Sequence, residues 1–277
     1  MRELLEQAVA EGRAGDRLWL YATYHCNLAC TYCLTESSPR IIDRRTLTAA
    51  TMIRAAAEAR ELGFANVGIT GGEVFMLPDF ADTLHQIAKH LPVVALTNGT
   101  LFTPRRLSQL KPLSGLDVAL QLSLDSADPE HNDAFRGAGN FAQVIETIPR
   151  LLAQDVRVRI ATTVEDQTPD ELAELCVLHR SLGIPDSDHI VRPVIRRGRA
   201  EVEGMGVELG PHDVLPELTL TADGAFMHPF APTVRRGETD VDLLVSRQIL
   251  PLEAALRRFL TTIGNEPAGE DVVRSLR

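Results

Sequence analysis

From about Leu18 to Val194, six strand-like apolar runs alternate with amphipathic helical stretches, and this alternation restricts the chain to folds built on parallel strands. Strands are expected over 18–24, 66–70, 93–97, 117–123, 156–164 and 189–194. Helices are expected between them, over 46–62, 79–91, 104–110, 140–154 and 169–182. Strand, helix and strand in succession form right-handed crossovers, so the expected class is α/β. An open or closed barrel and a doubly wound sheet both satisfy the pattern. In either, ligands gather where the strands end.

A short leading helix is expected over 2–12, where Leu4, Leu5, Val9 and Ala10 recur at helical spacing. Beyond Gly198 the text turns rich in glycine and proline. Runs 218–221 and 225–228 around Ala222-Asp223-Gly224 predict a hairpin, and a closing helix is expected around 252–263. The residues after it, with Pro267 and Gly269, are expected to be poorly ordered. The organisation read this way is a leading helix over 1–16, a core domain over 17–200 and a small α+β extension over 201–277.

Charge narrows the partners. With 38 acidic against 28 basic residues, a net charge of -10 disfavours broad nucleic-acid binding. The local run Arg192, Arg196, Arg197 and Arg199 has three readings: an anionic substrate, a solvated face or carboxylate partners. There is no signal-peptide pattern and no apolar run near the ~20 residues that span a bilayer, so a cytoplasmic protein without membrane attachment is expected.

Three of the four cysteines crowd into Cys26-Asn27-Leu28-Ala29-Cys30-Thr31-Tyr32-Cys33, directly after the first strand. Thiolates suit iron-sulfur clusters, zinc or Cu(I). A structural zinc site needs four closed ligands, whereas a cubane on three thiolates keeps one iron open. Zinc completed by His25 or a distant histidine stays an alternative, although adjacent ligands at 25 and 26 point to opposite sides of an extended backbone. Cys176 stands alone in an amphipathic helix and reads as a buried small hydrophobe.

The CxxxCxxC spacing, with Tyr32 just before the last cysteine, resembles the radical SAM superfamily, and the resemblance runs from about Leu18 to Ala200 in the family's order of motifs. It implies a partial (β/α)6 barrel of parallel strands. It also implies one [4Fe-4S] cluster on Cys26, Cys30 and Cys33, with Tyr32 beside it and S-adenosylmethionine (SAM) on the open iron. Gly71 and Gly72 let backbone approach a ligand, and a carboxylate suits an ammonium. In the family this Gly-Gly-Glu segment binds the methionyl amino group, a role that passes to Gly71, Gly72 and Glu73; Val74 departs from the proline that often follows.

Asn98, in Thr97-Asn98-Gly99-Thr100, matches a turn below the cofactor or is a plain left-handed turn. Ser123 matches a serine that approaches the SAM carboxylate or ribose. Asp125 belongs to the same motif, or else caps the helix starting near Asp128. Arg136 matches an arginine that pairs with the SAM carboxylate in related maturases, or is a surface residue at a helix end. Thr162, Thr163 and residues 191–194, Val194 among them, would flank the adenosine; β-branched residues in a strand also need no function.

The resemblance further implies reductive cleavage of SAM, with an electron from a flavodoxin- or ferredoxin-type donor, to methionine and a 5'-deoxyadenosyl radical that abstracts hydrogen from a substrate. Residues Leu218 to Pro229 resemble the hairpin of SPASM domains, where a cysteine normally follows, but no cysteine lies beyond Cys176 and an auxiliary cluster there lacks ligands. A small biosynthetic metabolite is the preferred substrate reading and a ribosomal peptide the alternative. Glu36, Asp166, His189, Arg192 and Arg196 are candidates for the substrate side. A reading of a different class is a non-catalytic iron-sulfur or zinc protein. No Walker loop, dinucleotide fingerprint or nucleophile triad is present.

Overall fold

The computed structural model describes residues 1–41, 45–210 and 213–264. Its six parallel strands pair in chain order: β1 (Arg17–Thr23), β2 (Asn66–Gly71), β3 (Val93–Thr97), β4 (Val118–Ser123), β5 (Arg157–Val164) and β6 (His189–Pro193). Helix α1 (Arg2–Ala10) precedes them. The crossovers carry α2 (Ala49–Leu62), α3 (Phe80–Ala88), α4 (Pro104–Gln109), α5 (Pro129–Arg136), α6 (Asn140–Leu152) and α7 (Pro169–Ser181).

Local chemistry sets the helix starts. Thr48, Thr103, Asp128 and Thr168 each accept a backbone N–H from the first turn, and Thr168 forms a capping box with Glu171. Proline follows at the first helical position in α4, α5 and α7, where its missing N–H costs nothing. The helix expected from residue 46 therefore begins at Ala49, after its Thr48 cap. Asp128, not Asp125, caps α5: its Oδ1 accepts the N–H of His131 at 2.8 Å.

Strand alternation separates two faces. Leu18, Leu20 and Ala22 of β1 are fully buried in the apolar core under the helices, with Val67 and Ile69 of β2 and Leu120 and Leu122 of β4. Each such Leu, Val or Ile side chain contributes roughly 1.5–3 kcal/mol on burial. The intervening residues Arg17, Trp19 and Tyr21 face a cavity on the concave side instead. Gly68 makes room there, since a Cβ at that position would collide with the Trp19 indole.

The tail belongs to the same sheet. The expected hairpin forms as β7 (Thr219–Thr221) and β8 (Gly224–Phe226), and β7 lies parallel to β1 with Leu220 opposite Leu20. A further strand, β11 (Leu244–Ser246), pairs with β8, giving the order β11-β8-β7-β1-β2-β3-β4-β5-β6. The flank of β1 that would close a barrel against β6 is thus taken by β7, and the barrel stays open. Between these elements lie α8 (Arg199–Val202) and a ribbon of β9 (Val234–Arg235) and β10 (Glu238–Thr239). The closing helix is α9 (Leu252–Gly264), whose first N–H donates to Glu58 of α2 at 2.5 Å. The disorder expected after residue 264 lies outside the described residues. None of the described helices is long and apolar enough to cross a membrane.

Candidate active site

The cavity opens at the C-terminal ends of the parallel strands, and the loop after β1 brings Cys26, Cys30 and Cys33 to its wall. Burial pushes the Cys26 thiol up to about 12 and also raises Cys30. Both are therefore neutral thiols until a metal displaces the proton. The Cys26 sulfur already faces two donors, the N–H of Leu28 at 3.4 Å and Asn98 Nδ2 at 3.8 Å, which favour the thiolate.

Among the described residues no three His, Cys, Asp or Glu side chains gather closely enough for one metal ion. Three thiols line the cavity and, among the described residues, no His, Asp or Glu lines it to complete a four-ligand zinc site, whereas a cubane on three thiolates keeps one iron open. The Gly71-Gly72 turn packs directly on the backbone that leads into this loop. A Cβ on Gly72 would strike the His25 carbonyl, and one on Gly71, at φ +144°, would strike the Thr23 carbonyl. The residues present fit a [4Fe-4S] cluster.

Of the residues expected to hold SAM, Tyr32, Gly71, Gly72, Asn98, Ser123, Arg136, Thr163 and Val194 line this same cavity. Ser123, at the end of β4, has no hydrogen-bond partner for its hydroxyl among the described residues. Arg136 is 5% exposed, which rules out the surface reading, and its Nε is buried without a partner among the described residues. Its Nη1 donates to Tyr32 Oη and lies 3.3 Å from Asp125, while Tyr32 donates to Asp125 at 2.5 Å. Burial opposes the guanidinium charge, but Tyr32, Cys30 and Asp125 around it hold the proton. Two uncommitted donors, Ser123 Oγ and Arg136 Nε, thus suit a carboxylate.

Glu73 and Asp125 do not reach the cavity. Both are fully buried behind its wall. The Glu73 carboxylate accepts from the N–H groups of Phe75 (2.9 Å) and Asn98 (2.7 Å) and from Thr97 Oγ1 (2.8 Å), joining the ends of β2 and β3. Asp125 accepts from the Thr163 N–H at 2.9 Å besides Tyr32 and Arg136. These carboxylates hold the turns that carry the lining residues. Asn98 does both jobs: its Oδ1 accepts from Thr100, at 3.0 Å from the backbone nitrogen, and its Nδ2 reaches Cys26 and Asn27.

The arginine run disperses. Arg197 is buried, donates from its Nη2 to both carboxylate oxygens of Asp242 at 2.7 and 2.8 Å and lies over the Phe230 ring. Arg196 donates to the Gly206 carbonyl, and only Arg192 lines the cavity. The other polar candidates lie elsewhere. Glu36 accepts the N–H groups of Arg236 and Gly237, Asp166 is exposed beside His131, and His189 donates to or accepts from Thr162 behind the sheet. Cys176 is half-buried with its sulfur 3.5 Å from His189 Nδ1. Sequence reasoning missed Trp19, Gln121 and Phe230, all lining residues. For Trp19 and Gln121 strand alternation carried the signal.

Residues 20–178 match the family model described as Radical SAM superfamily. The chain is 35% identical over 163 residues to the antilisterial bacteriocin subtilosin biosynthesis protein AlbA of Bacillus subtilis, covering 58% of this chain and 36% of that one. It is 31% identical over 203 residues to the mycofactocin maturase MftC of Mycobacterium tuberculosis, covering 73% and 47%. The chain thus spans less than half the length of these two relatives. Its fold is similar to that of Streptococcus suis SuiB bound to precursor peptide SuiA, with TM-score 0.66, 14% identity and coverage of 96% of this chain and 69% of that one. With the family model matched over more than half its length, and cysteines and glycine turn facing one cavity, the chain belongs to the radical SAM superfamily.

Proposed function

We propose that this chain cleaves SAM reductively at a [4Fe-4S] cluster held by Cys26, Cys30 and Cys33 and directs the resulting radical onto a peptide. When bound and reduced by a flavodoxin- or ferredoxin-type donor, the cluster supplies the electron that breaks the sulfonium C–S bond, giving methionine and the 5'-deoxyadenosyl radical. The chain's residues position and shield. Cys26 and Cys30 give up protons as they become ligands. The Gly71-Gly72 backbone admits the methionyl end, Ser123 and Arg136 Nε donate to its carboxylate, and Thr163 and Val194 flank the nucleoside. Glu73 acts behind them, as a brace for the turn at Asn98.

The observation that carries this reading is the convergence of three thiols, the Gly71-Gly72 turn and the side chains of Ser123 and Arg136 on one cavity. A peptide replaces the small metabolite as the preferred substrate because AlbA and MftC are named for bacteriocin biosynthesis and mycofactocin maturation, and SuiB holds a precursor peptide.

The test is anaerobic reconstitution followed by dithionite and SAM. Product 5'-deoxyadenosine is expected from the wild-type chain and is lost when Cys26, Cys30 or Cys33 becomes serine. Bound zinc in place of iron, or a fully loaded cluster that yields no 5'-deoxyadenosine, would defeat the reading.

A further inference from the structure

The wall of β6 carries a charge that pairs with no group among the described residues. Arg192 is half-buried in the cavity and, among the described residues, makes no hydrogen bond and no ion pair. The other arginines lining the cavity are engaged. Arg17, at the far end of β1, donates to Asn66 and stacks on Trp19 with 5.3 Å to the ring centroid, and Arg136 is paired with Asp125. Register places Arg192 opposite Thr163, at the level where Asp125 accepts the Thr163 N–H. Asp125 is a carboxylate whose charge acts on Arg192, but it is buried and already shared among Thr163, Tyr32 and Arg136. A guanidinium stays charged in any protein, and one held unpaired in a partly desolvated cavity favours an incoming anion.

We propose that Arg192 receives a carboxylate of the substrate, either an acidic side chain or a peptide's C-terminus, and so sets which part of the substrate lies near the cofactor. The inference rests on the radical SAM reading above. In that reading the cofactor's own carboxylate is served by Ser123 on β4, two strands away, and by Arg136 at the end of α5, beside Cys30, whose sulfur lies 3.9 Å from the Arg136 carbonyl. A single uncommitted guanidinium at this level matches a carboxylate, whereas a polyphosphate would require several cations. The planar fork of arginine also fits a carboxylate through two parallel hydrogen bonds.

The test uses the full chain, cluster-reconstituted and SAM-bound, with blocked tripeptides as probes. Acetyl-Ala-Asp-Ala-amide is compared with its Asn counterpart, and acetyl-Ala-Ala-Ala bearing a free carboxyl with its amide. Binding is read by calorimetry and by perturbation of the reduced cluster's electron paramagnetic resonance spectrum. At least one acid should bind tenfold or more tighter than its amide, and which pair discriminates tells side chain from C-terminus. Arg192→Gln should erase the preference while SAM affinity and substrate-free 5'-deoxyadenosine formation stay within twofold of wild type.

The proposal is overturned if neither acid is preferred, if the preference survives Arg192→Gln, or if that variant loses SAM affinity. Should Arg192→Gln fail to fold, Arg192→Lys carries the test: its point charge should cut the preference threefold or more, and an unchanged preference overturns the proposal. A wild-type chain that forms no 5'-deoxyadenosine would remove the underlying reading, an outcome distinct from all of these.

Discussion

The guanidinium of Arg199 donates to the backbone carbonyl of Cys30, so a residue from beyond the last barrel strand holds the middle of the cysteine loop. The same side chain reaches the Ser37 carbonyl at 3.0 Å, and the Arg199 N–H donates to the Cys33 carbonyl at 3.0 Å. The turn before it, Gly198 at φ +60°, lies so close to the Leu34 carbonyl that a Cβ would collide. Arginine was read in the sequence as part of a basic patch; here it is a clamp on the loop.

Arg199→Ala should therefore loosen the cluster without touching a cysteine. Hydrogen bonds from charged groups are worth roughly 1.5–3 kcal/mol each, and two are lost. Reconstituted Arg199→Ala is expected to release iron to a chelator at least tenfold faster than wild type, while Arg199→Lys recovers only part of the difference. Equal release rates would show that the clamp is idle.

Glu73→Gln separates bracing from ligand contact. The amide keeps one acceptor, but its NH2 faces a backbone N–H, either Phe75 or Asn98. A loss of about 2–4 kcal/mol in urea unfolding of the cluster-free chain is expected. Unchanged stability together with weakened SAM binding would instead place the carboxylate against the cofactor.

Asp125→Asn should be costly in another way. It leaves the Arg136 charge buried at 5% exposure without its counter-ion, a change worth about 3–5 kcal/mol. Asp125→Asn combined with Arg136→Met should be less harmful to stability than Asp125→Asn alone, yet should lose SAM affinity. Thermal unfolding and SAM titration on both variants decide it.

His179 supplies an acid-sensitive element away from the cavity. It is fully buried, both ring nitrogens lack partners among the described residues, and its ring packs edge-on against His189 at 4.4 Å. Burial, with a smaller push from His189, lowers its pKa from 6.5 to about 3. The unfolded chain then takes up a proton that the folded chain refuses, so the stabilisation is present above pH 6.5 and is lost as pH falls toward 3. By pH 4 the loss is on the order of 3 kcal/mol. Urea midpoints measured from pH 7 to 4 should fall less steeply in His179→Leu than in wild type.

The spacing of the cysteines and the alternation of strand and helix could be read from the amino acids alone because both are local. Three thiols within eight residues must share one loop, and a period of two or of about 3.6 declares an element wherever it occurs. The ends of β1 to β6 accordingly lie within one or two residues of their expected positions. What residue type and order left undecided was direction and partnership. Glu73 and Asp125 carry the same charge as a ligand would, and only packing turned them behind the wall. The four arginines from Arg192 to Arg199 look alike in the chain, yet their roles follow from carbonyls and carboxylates as far away as Cys30 and Asp242. The C-terminal hairpin was legible as a hairpin, but its pairing with β1 joins residues two hundred positions apart, and long-range contacts of that kind are settled only when the whole sheet assembles.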